Sequence, residues 1–290
     1  MTLKKVFFFI TLIFLALSGA SANKQIKLTK PEKVGMSGER LERVGSSMRN
    51  LIDQKKIPGT VSLISRKGKI VHFEANGLRD VARKLPMELD TIFRLYSQTK
   101  PVTGAAVMIL FEEGHFLLTD PISKYLPEFS NMQVYIGQEN GNIQTEPADP
   151  ITIQQLLLHT SGLTYDFFQN PVAKMYVDNG VVSSPHQSGS LEGGMKAGTS
   201  SDLSIDQWTK LVADLPLVAQ PGTEWNYSIG MDVLGRLVEV ISGKSYSDFL
   251  SEGIFKPLGM VDTGFHVPDD KLRRFAANYI PSPNGGMQLF

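Results

Sequence analysis

The order of local patterns along the chain constrains the fold more than any other feature: one β-rich pair of runs comes early, and helical patterning follows almost to residue 256. Thr60 to Ser65 and Ile70 to Glu74 are rich in β-formers and flank Arg66-Lys67-Gly68-Lys69, which predicts a strand hairpin. Before it, Leu41, Val44, Met48, Leu51 and Ile52 recur at helical spacing, with Ser37 placed to cap the first turn. After it, a helical pattern runs from Phe93 to Glu113, with Val102, Ala105, Ala106, Ile109 and Leu110 on one face and Gly114 at its stop. Ile92 to Leu95 reads as strand-like, and Pro121 to Phe129 as a short irregular segment. Thr152 to Gln155 has capping-box form and opens a short helix towards His159. Residues 164–203 are rich in Gly, Ser and Asn and predict a long loop. Ser204 caps a helix carrying Trp208, Leu211 and Val212; further helices span Met231 to Ser242, stopped by Gly243, and Tyr246 to Phe255. Strand and helix do not alternate, so a parallel doubly wound sheet is not indicated, and a Gly-rich phosphate loop is missing.

Lys4 and Lys5, the apolar run Val6 to Leu17 and Ala20-Ser21-Ala22 form an export leader with a cleavage site, residues 1–22. The run is shorter than the ~20 apolar residues of a membrane span. The expected product is therefore exported, to a periplasm or out of the cell, with no stable span after cleavage. The chain has no cysteine, so neither disulfides nor thiolate chemistry are available and stability must come from core packing, which 290 residues permit. Acids and bases balance at 29 each, which gives nucleic acid nothing to bind. The histidines stand at 72, 115, 159, 186 and 266, none at short ligand spacing to another, so neither a metal nor another cofactor is expected.

The chemistry-bearing feature is Ser97-Gln98-Thr99-Lys100. On a helix, residues three apart share a face, so the amine reaches the hydroxyl. A serine is a poor nucleophile until a neighbour takes its proton, and a lysine of lowered pKa can do so. At the start of an apolar helix, free N–H groups and the helix dipole favour the negative charge that develops. The same spacing also occurs in Ser21 to Lys24, across the cleavage site, so the motif alone carries little weight. Pro221-Gly222-Thr223-Glu224-Trp225-Asn226-Tyr227-Ser228 is a turn and aromatic loop ahead of a helix, able to project the Tyr227 phenol into a cleft or to bury it in a core. In Leu156 to Leu163, His159 and Ser161 invite a histidine-activated serine, but near neighbours at a helix end do not face one another, and a structural helix stop is the stronger reading.

Leu95 to Val102, Glu112-Glu113-Gly114, Asp120 to Pro127, Leu158 to Leu163, Pro221-Gly222-Thr223 with Tyr227-Ser228, and Pro257-Leu258-Gly259-Met260 occur in the order found in the class C β-lactamase-related serine hydrolases. From about residue 28 onward the chain resembles that family, within the β-lactamase/penicillin-binding-protein superfamily. The resemblance implies an α/β (α+β) fold: an antiparallel sheet flanked by helices, with an inserted mostly helical subdomain at about 96–265 of a domain spanning 23–290, and Ser97 in the cleft between them. It implies Ser97 as acyl-accepting nucleophile, Lys100 as its base partner, Tyr227 as proton shuttle to the leaving group and the Ser97 N–H as an oxyanion donor. The partner implied is a small-molecule ester or amide. Two departures qualify this. Ile229 stands where the β-lactamase branch has the Asn of Tyr-x-Asn, which favours an esterase-like member. The Lys-Thr-Gly or His-x-Gly motif of a later strand is not found, so the C-terminal strands are expected to be missing, as in a fragment or a shortened paralogue. Three functions follow: a small-ester or amide hydrolase, a penicillin-binding carboxypeptidase or β-lactamase, and a binding module that keeps the fold without turnover.

Overall fold

The computed structural model describes residues 26–182, 203–283 and 285–290. The expected leader, 1–22, lies outside the described residues, as do residues 183–202 of the expected long loop. The chain divides into two compact units, one containing the residues up to Leu89 with Pro283–Met287, the other Asp90–Ser282 with Gln288–Phe290.

In the first unit, helix α1 (Gly38–Asp53) starts where Ser37 Oγ accepts from the Arg40 N–H at 3.2 Å. It packs on an antiparallel sheet of β1 (Gly59–Arg66), β2 (Lys69–Asp80) and the short β3 (Leu85–Pro86), in that order. The hairpin has the expected turn, with Lys67 and Gly68 both at positive φ, the geometry whose twist suits two-residue connections. Leu41, Val44, Met48, Leu51 and Ile52 are all half-buried, as their helical spacing requires.

The second unit is built around α2 (Thr99–Glu112) and α6 (Gly230–Ser242), which pack directly on each other. Between them in sequence come the ribbon β4 (Gln133–Glu139) and β5 (Asn142–Pro147), then α3 (Ile153–Leu157), α4 (Pro171–Asp178) and α5 (Ile205–Ala213). After α6 follow α7 (Tyr246–Leu250), a π-helical turn Ser251–Phe255, and the strands β6 (Tyr279–Pro281) and β7 (Met287–Leu289). Helix α6 buries Val233, Leu234, Leu237 and Val238 and ends at Gly243, whose φ of 68° is the left-handed stop read from the sequence. It also packs on α3, α5 and α7 and so forms the hub of this unit. The capping boxes at Thr152 and Ser204 are both formed.

Several expectations are corrected here. Ile92 to Leu95 is not a strand: Ile92 makes one bridge to Phe275, and by Leu95 the backbone is already helical. The buried stripe of α2 is Thr103, Ala106, Val107 and Leu110, and Ala105 is exposed. The helix is apolar on nearly every side, so spacing alone did not fix which side faces α6. The ribbon β4–β5 was not anticipated, and α4 lies inside the segment expected to be loop, opened by Asn170 accepting from the Ala173 N–H at 2.7 Å.

Candidate active site

Ser97 lies in the 3-10 turn Tyr96–Gln98 that leads into α2, not on the helix itself. Tyr96 before it is held at φ 46°, a conformation costly for a side chain of this size, and its hydroxyl accepts from Asn278 Nδ2 at 2.8 Å. Lys100 follows one turn later, inside α2.

The remaining members come from two loops tied to each other by backbone hydrogen bonds. Gly222 N–H bonds to Thr160 O at 2.7 Å, Val218 N–H to Gly162 O at 2.8 Å, Asn226 N–H to His159 O at 2.8 Å and Ile229 N–H to Thr164 O at 3.2 Å. Gly162 makes this approach possible. Its φ is 81°, and a Cβ there would run into the Ala219 carbonyl oxygen. The paired loops deliver Tyr165 from one strand of chain and Tyr227 from the other, on two sides of Lys100.

The Tyr227 hydroxyl is 2.6 Å from Ser97 Oγ, and Lys100 Nζ is 3.4 Å from the same oxygen. Lys100 Nζ also donates to the Tyr165 hydroxyl at 2.8 Å and lies 4.7 Å from the Tyr227 ring centroid. Ser97, Lys100 and Tyr227, singled out in the sequence, therefore meet in one hydrogen-bonded cluster. Tyr165 is a fourth member that sequence reasoning missed, since Gly-Leu-Thr-Tyr carries no signature of its own.

The two phenols around this one ammonium diverge. Burial, with the Asp232 charge adding to it, pushes the Tyr165 hydroxyl up to about 12 despite its hydrogen bond to Lys100. Burial also acts to raise Tyr227, but hydrogen bonds with Lys100 and Ser97 and the charge of Lys100 prevail, so its pKa falls below 10.0. Burial works to lower Lys100, but hydrogen bonds to Tyr165 and Tyr227 outweigh it and hold its pKa above 10.5. The lysine thus stays an ammonium, and Tyr227 is the group whose proton is loosened.

His159 stands apart from the nucleophile. Its Nδ1 accepts from the Ser228 N–H at 3.2 Å and lies 3.2 Å from Ser228 Oγ, while its ring is 4.8 Å from that of Tyr227. Burial and the nearby Lys100 lower its pKa, so the ring is a neutral strut under the Tyr227 loop. Ser161 is fully buried, with its hydroxyl accepting from the Leu163 N–H at 3.4 Å. These two residues form the structural stop expected of them.

Ser97 opens onto a cavity of about 810 Å³ whose described lining comes from residues of the second unit. Aromatic rings wall it. Tyr165 stacks on Phe167 at 4.8 Å, and Tyr227 lies 6.2 Å from the exposed Trp225. The volume and the mixed apolar and polar lining suit a small organic ligand.

A serine bonded to a loosened phenol and an ammonium, set ahead of an apolar helix, defines an acyl-transfer type of site. The comparisons with known proteins agree with that class. The chain belongs to the β-lactamase family, whose model matches residues 44–288. It is 31% identical over 229 residues to esterase EstB of Burkholderia gladioli, a match that covers 78% of this chain and 51% of the esterase. Among solved structures it resembles EstCE1, described as a hydrolase with promiscuous acyltransferase activity, at 30% identity and TM-score 0.67, over 86% of this chain and 58% of that one. It also resembles unliganded simvastatin synthase (LovD) of Aspergillus terreus at 28% identity and TM-score 0.71, over 88% and 62%. The fold is thus the mixed α/β fold of the β-lactamase and transpeptidase group. The chain spans about half the length of the curated relatives it matches.

Proposed function

We propose that this chain carries the nucleophile and proton-handling groups of an enzyme that cleaves a small ester or amide through an acyl-enzyme on Ser97. The observation that carries the reading is that Ser97 Oγ lies within hydrogen-bond reach of both Tyr227 and Lys100. Tyr227, as phenolate, takes the Ser97 proton while Oγ forms a bond to the substrate carbonyl carbon. The Lys100 ammonium stabilises the phenolate, and the Ser97 N–H donates to the developing oxyanion. As the tetrahedral intermediate collapses, the carbonyl carbon–heteroatom bond breaks, and the proton on Tyr227 passes to the leaving alcohol or amine. Water, or a second alcohol, then attacks the acyl-Ser97 ester with Tyr227 again accepting a proton, and as the carbonyl carbon–Oγ bond breaks that proton returns to Ser97 Oγ. Hydrolysis and acyl transfer differ only in that second nucleophile.

An esterase-like substrate is favoured over a β-lactam because Ile229, 2% exposed, occupies the wall where the β-lactamase branch has an amide. Export through residues 1–22 is part of the same proposal; amino-terminal sequencing of protein recovered outside the cytoplasm, starting at Asn23, checks it. Among the described residues no helix is long and apolar enough to cross a membrane.

The decisive experiment is mass spectrometry after treatment with a fluorophosphonate probe. One adduct on Ser97, absent from Ser97→Ala, supports the reading. No adduct on a folded protein would refute it and leave a binding module. Acylation by a penicillin would instead favour the carboxypeptidase and β-lactamase branch.

A further inference from the structure

The chain enters the nucleophile turn through a backbone conformation that its own sequence makes unfavourable. Gln98 N–H bonds to Leu95 O at 3.0 Å and closes a turn in which Tyr96 is the first central residue. Tyr96 has a φ of 46° there, in a region that glycine and asparagine enter readily and a large aromatic residue does not. Such strain persists only where the surrounding structure fixes it, and here it falls one residue before Ser97.

What fixes it is residues 274–278, which run parallel to residues 90–96 and meet them at Asp90, Ile92, Arg94 and Tyr96. Arg274 Nη1 donates to Asp90 O at 3.0 Å. Ile92 N–H bonds to Arg274 O and Ala276 N–H to Ile92 O, both at 2.9 Å. The Arg94 guanidinium lies 4.8 Å from the centroid of the Phe275 ring. Asn278 Nδ2, donating to the Tyr96 hydroxyl at 2.8 Å, is the last of these contacts, and the Asn278 carbonyl is itself held by the Phe290 N–H at 2.9 Å. On the far side of the turn, α2 is fixed by its packing on α6. Tyr96 is thus the joint between a strapped segment and an anchored helix. Rotation at that joint moves Ser97 against Tyr227, whose hydroxyl is 2.6 Å from Oγ, and a displacement of about 1 Å is enough to break such a bond.

We propose that Tyr96 is a positioning residue: clasped by Asn278, it holds the turn in its left-handed conformation and so aims Ser97 Oγ at the Tyr227 hydroxyl. The inference rests on the acyl-enzyme chemistry proposed for Ser97. A glycine would enter this conformation freely, but would leave it as readily and could not be tied to Asn278. The hydrogen bond with Ser97 is one of the interactions that lower the Tyr227 pKa. Releasing the clasp should weaken that bond, raise the Tyr227 pKa and move the rising limb of the labelling profile to higher pH. A loss of fold stability alone would leave that midpoint in place.

The test uses Tyr96→Phe and Asn278→Ala, each of which removes the clasp, and Tyr96→Gly, which removes clasp and strain together. Fluorophosphonate labelling at Ser97 should slow by about fivefold or more in each, the scale of one net hydrogen bond, with the rising limb displaced upward in pH. Combining Tyr96→Phe with Asn278→Ala should slow labelling no further than the slower single variant. In Tyr96→Gly the thermal midpoint should hold or rise while labelling falls, an opposition that a purely structural role does not produce. Wild-type labelling rates in Tyr96→Phe and Asn278→Ala, or slower rates with the pH midpoint unmoved, overturn the proposal. Hydrogen exchange across residues 95–100, read by mass spectrometry, follows the clasp without any chemistry at Ser97. Faster exchange of the Gln98 and Thr99 amides, which close the turn, supports the clasp even if the wild type is not labelled and only the Ser97 reading fails. Unchanged exchange in both variants sinks the clasp whether or not Ser97 is labelled.

Discussion

Replacing Tyr227 with Phe removes one oxygen atom and tests the centre of the mechanism. The ring contacts of Tyr227, to His159 at 4.8 Å, Tyr165 at 5.3 Å and Trp225 at 6.2 Å, are all available to a phenylalanine. The lost hydroxyl is only partly buried, so the cost to folding should stay within about 1 kcal/mol. The cost to chemistry should be far larger. Among the described residues, the 2.6 Å contact to Ser97 Oγ is the one that joins the nucleophile to a phenol with a lowered pKa. General-base assistance is worth about 10²–10⁴-fold, or roughly 3–5 kcal/mol of barrier. The assay is the second-order rate of fluorophosphonate labelling at Ser97, measured beside the thermal unfolding midpoint of each protein. Labelling of Tyr227→Phe within threefold of wild type, with the midpoint unchanged, would refute the assignment of Tyr227 as base. A large loss in Lys100→Met alone would then return that role to the lysine.

Other expectations follow from the same geometry. Because the base must be deprotonated and Lys100 charged, labelling should rise with pH with a midpoint below 10.0 and fall again above 10.5; Lys100→Met should move the rising limb to higher pH, read from a pH–rate profile. Asp120 accepts from Lys124 Nζ at 2.8 Å, the Tyr125 hydroxyl at 2.7 Å and the Leu117 N–H at 3.1 Å, which hold its pKa at about 2. Its contribution to stability is complete above the ordinary 3.8 and lost as pH falls through about 2, so Asp120→Asn should flatten the urea midpoint against pH across that window. Gly162→Ala, which forces a side chain into the left-handed region and against Ala219 O, should cost more than about 1 kcal/mol in denaturant titration. It should also slow Ser97 labelling, since Tyr165 and Tyr227 ride on the loops that Gly162 joins.

Much of the helical framework was legible because it rests on local chemistry. The caps at Ser37, Thr152 and Ser204 and the stop at Gly243 are each set by residues within one turn. The ribbon β4–β5 carried a readable signal that went unused: Asn140-Gly141, with φ of 52° and 82°, is the favoured two-residue hairpin turn. Its strands are rich in Gln, Glu and Asn, and β5 is exposed along its whole length, so no alternation of apolar and polar residues marked them. Helix α4 was hidden by its surroundings, for only eight residues lie between Asn170 and Asn179. The misplaced face of α2 has another cause. Its exposed side carries apolar residues as well, Ala105 and Met108 among them, so the buried stripe has no polar border and periodicity loses its meaning.

The site shows where sequence reading reaches its limit. Ser97 and Lys100 are three residues apart, so helical geometry alone brings them together. Tyr227 is 130 residues from Ser97, and Tyr165 is 65 from Lys100. Each arrives through the packing of α6 on α2 and the loop pairing at Gly162, which no local pattern encodes. Tyr227 was found because its loop matched a known motif. Tyr165 belongs to no motif and could be recognised only by what surrounds it. Tyr165, its pKa pushed up to about 12 by burial, accepts a hydrogen bond from the Lys100 ammonium and keeps its own proton, which fits the role proposed for Tyr227. The cluster around Ser97 thus joins residues that motifs reveal to one, Tyr165, that only the fold brings into view.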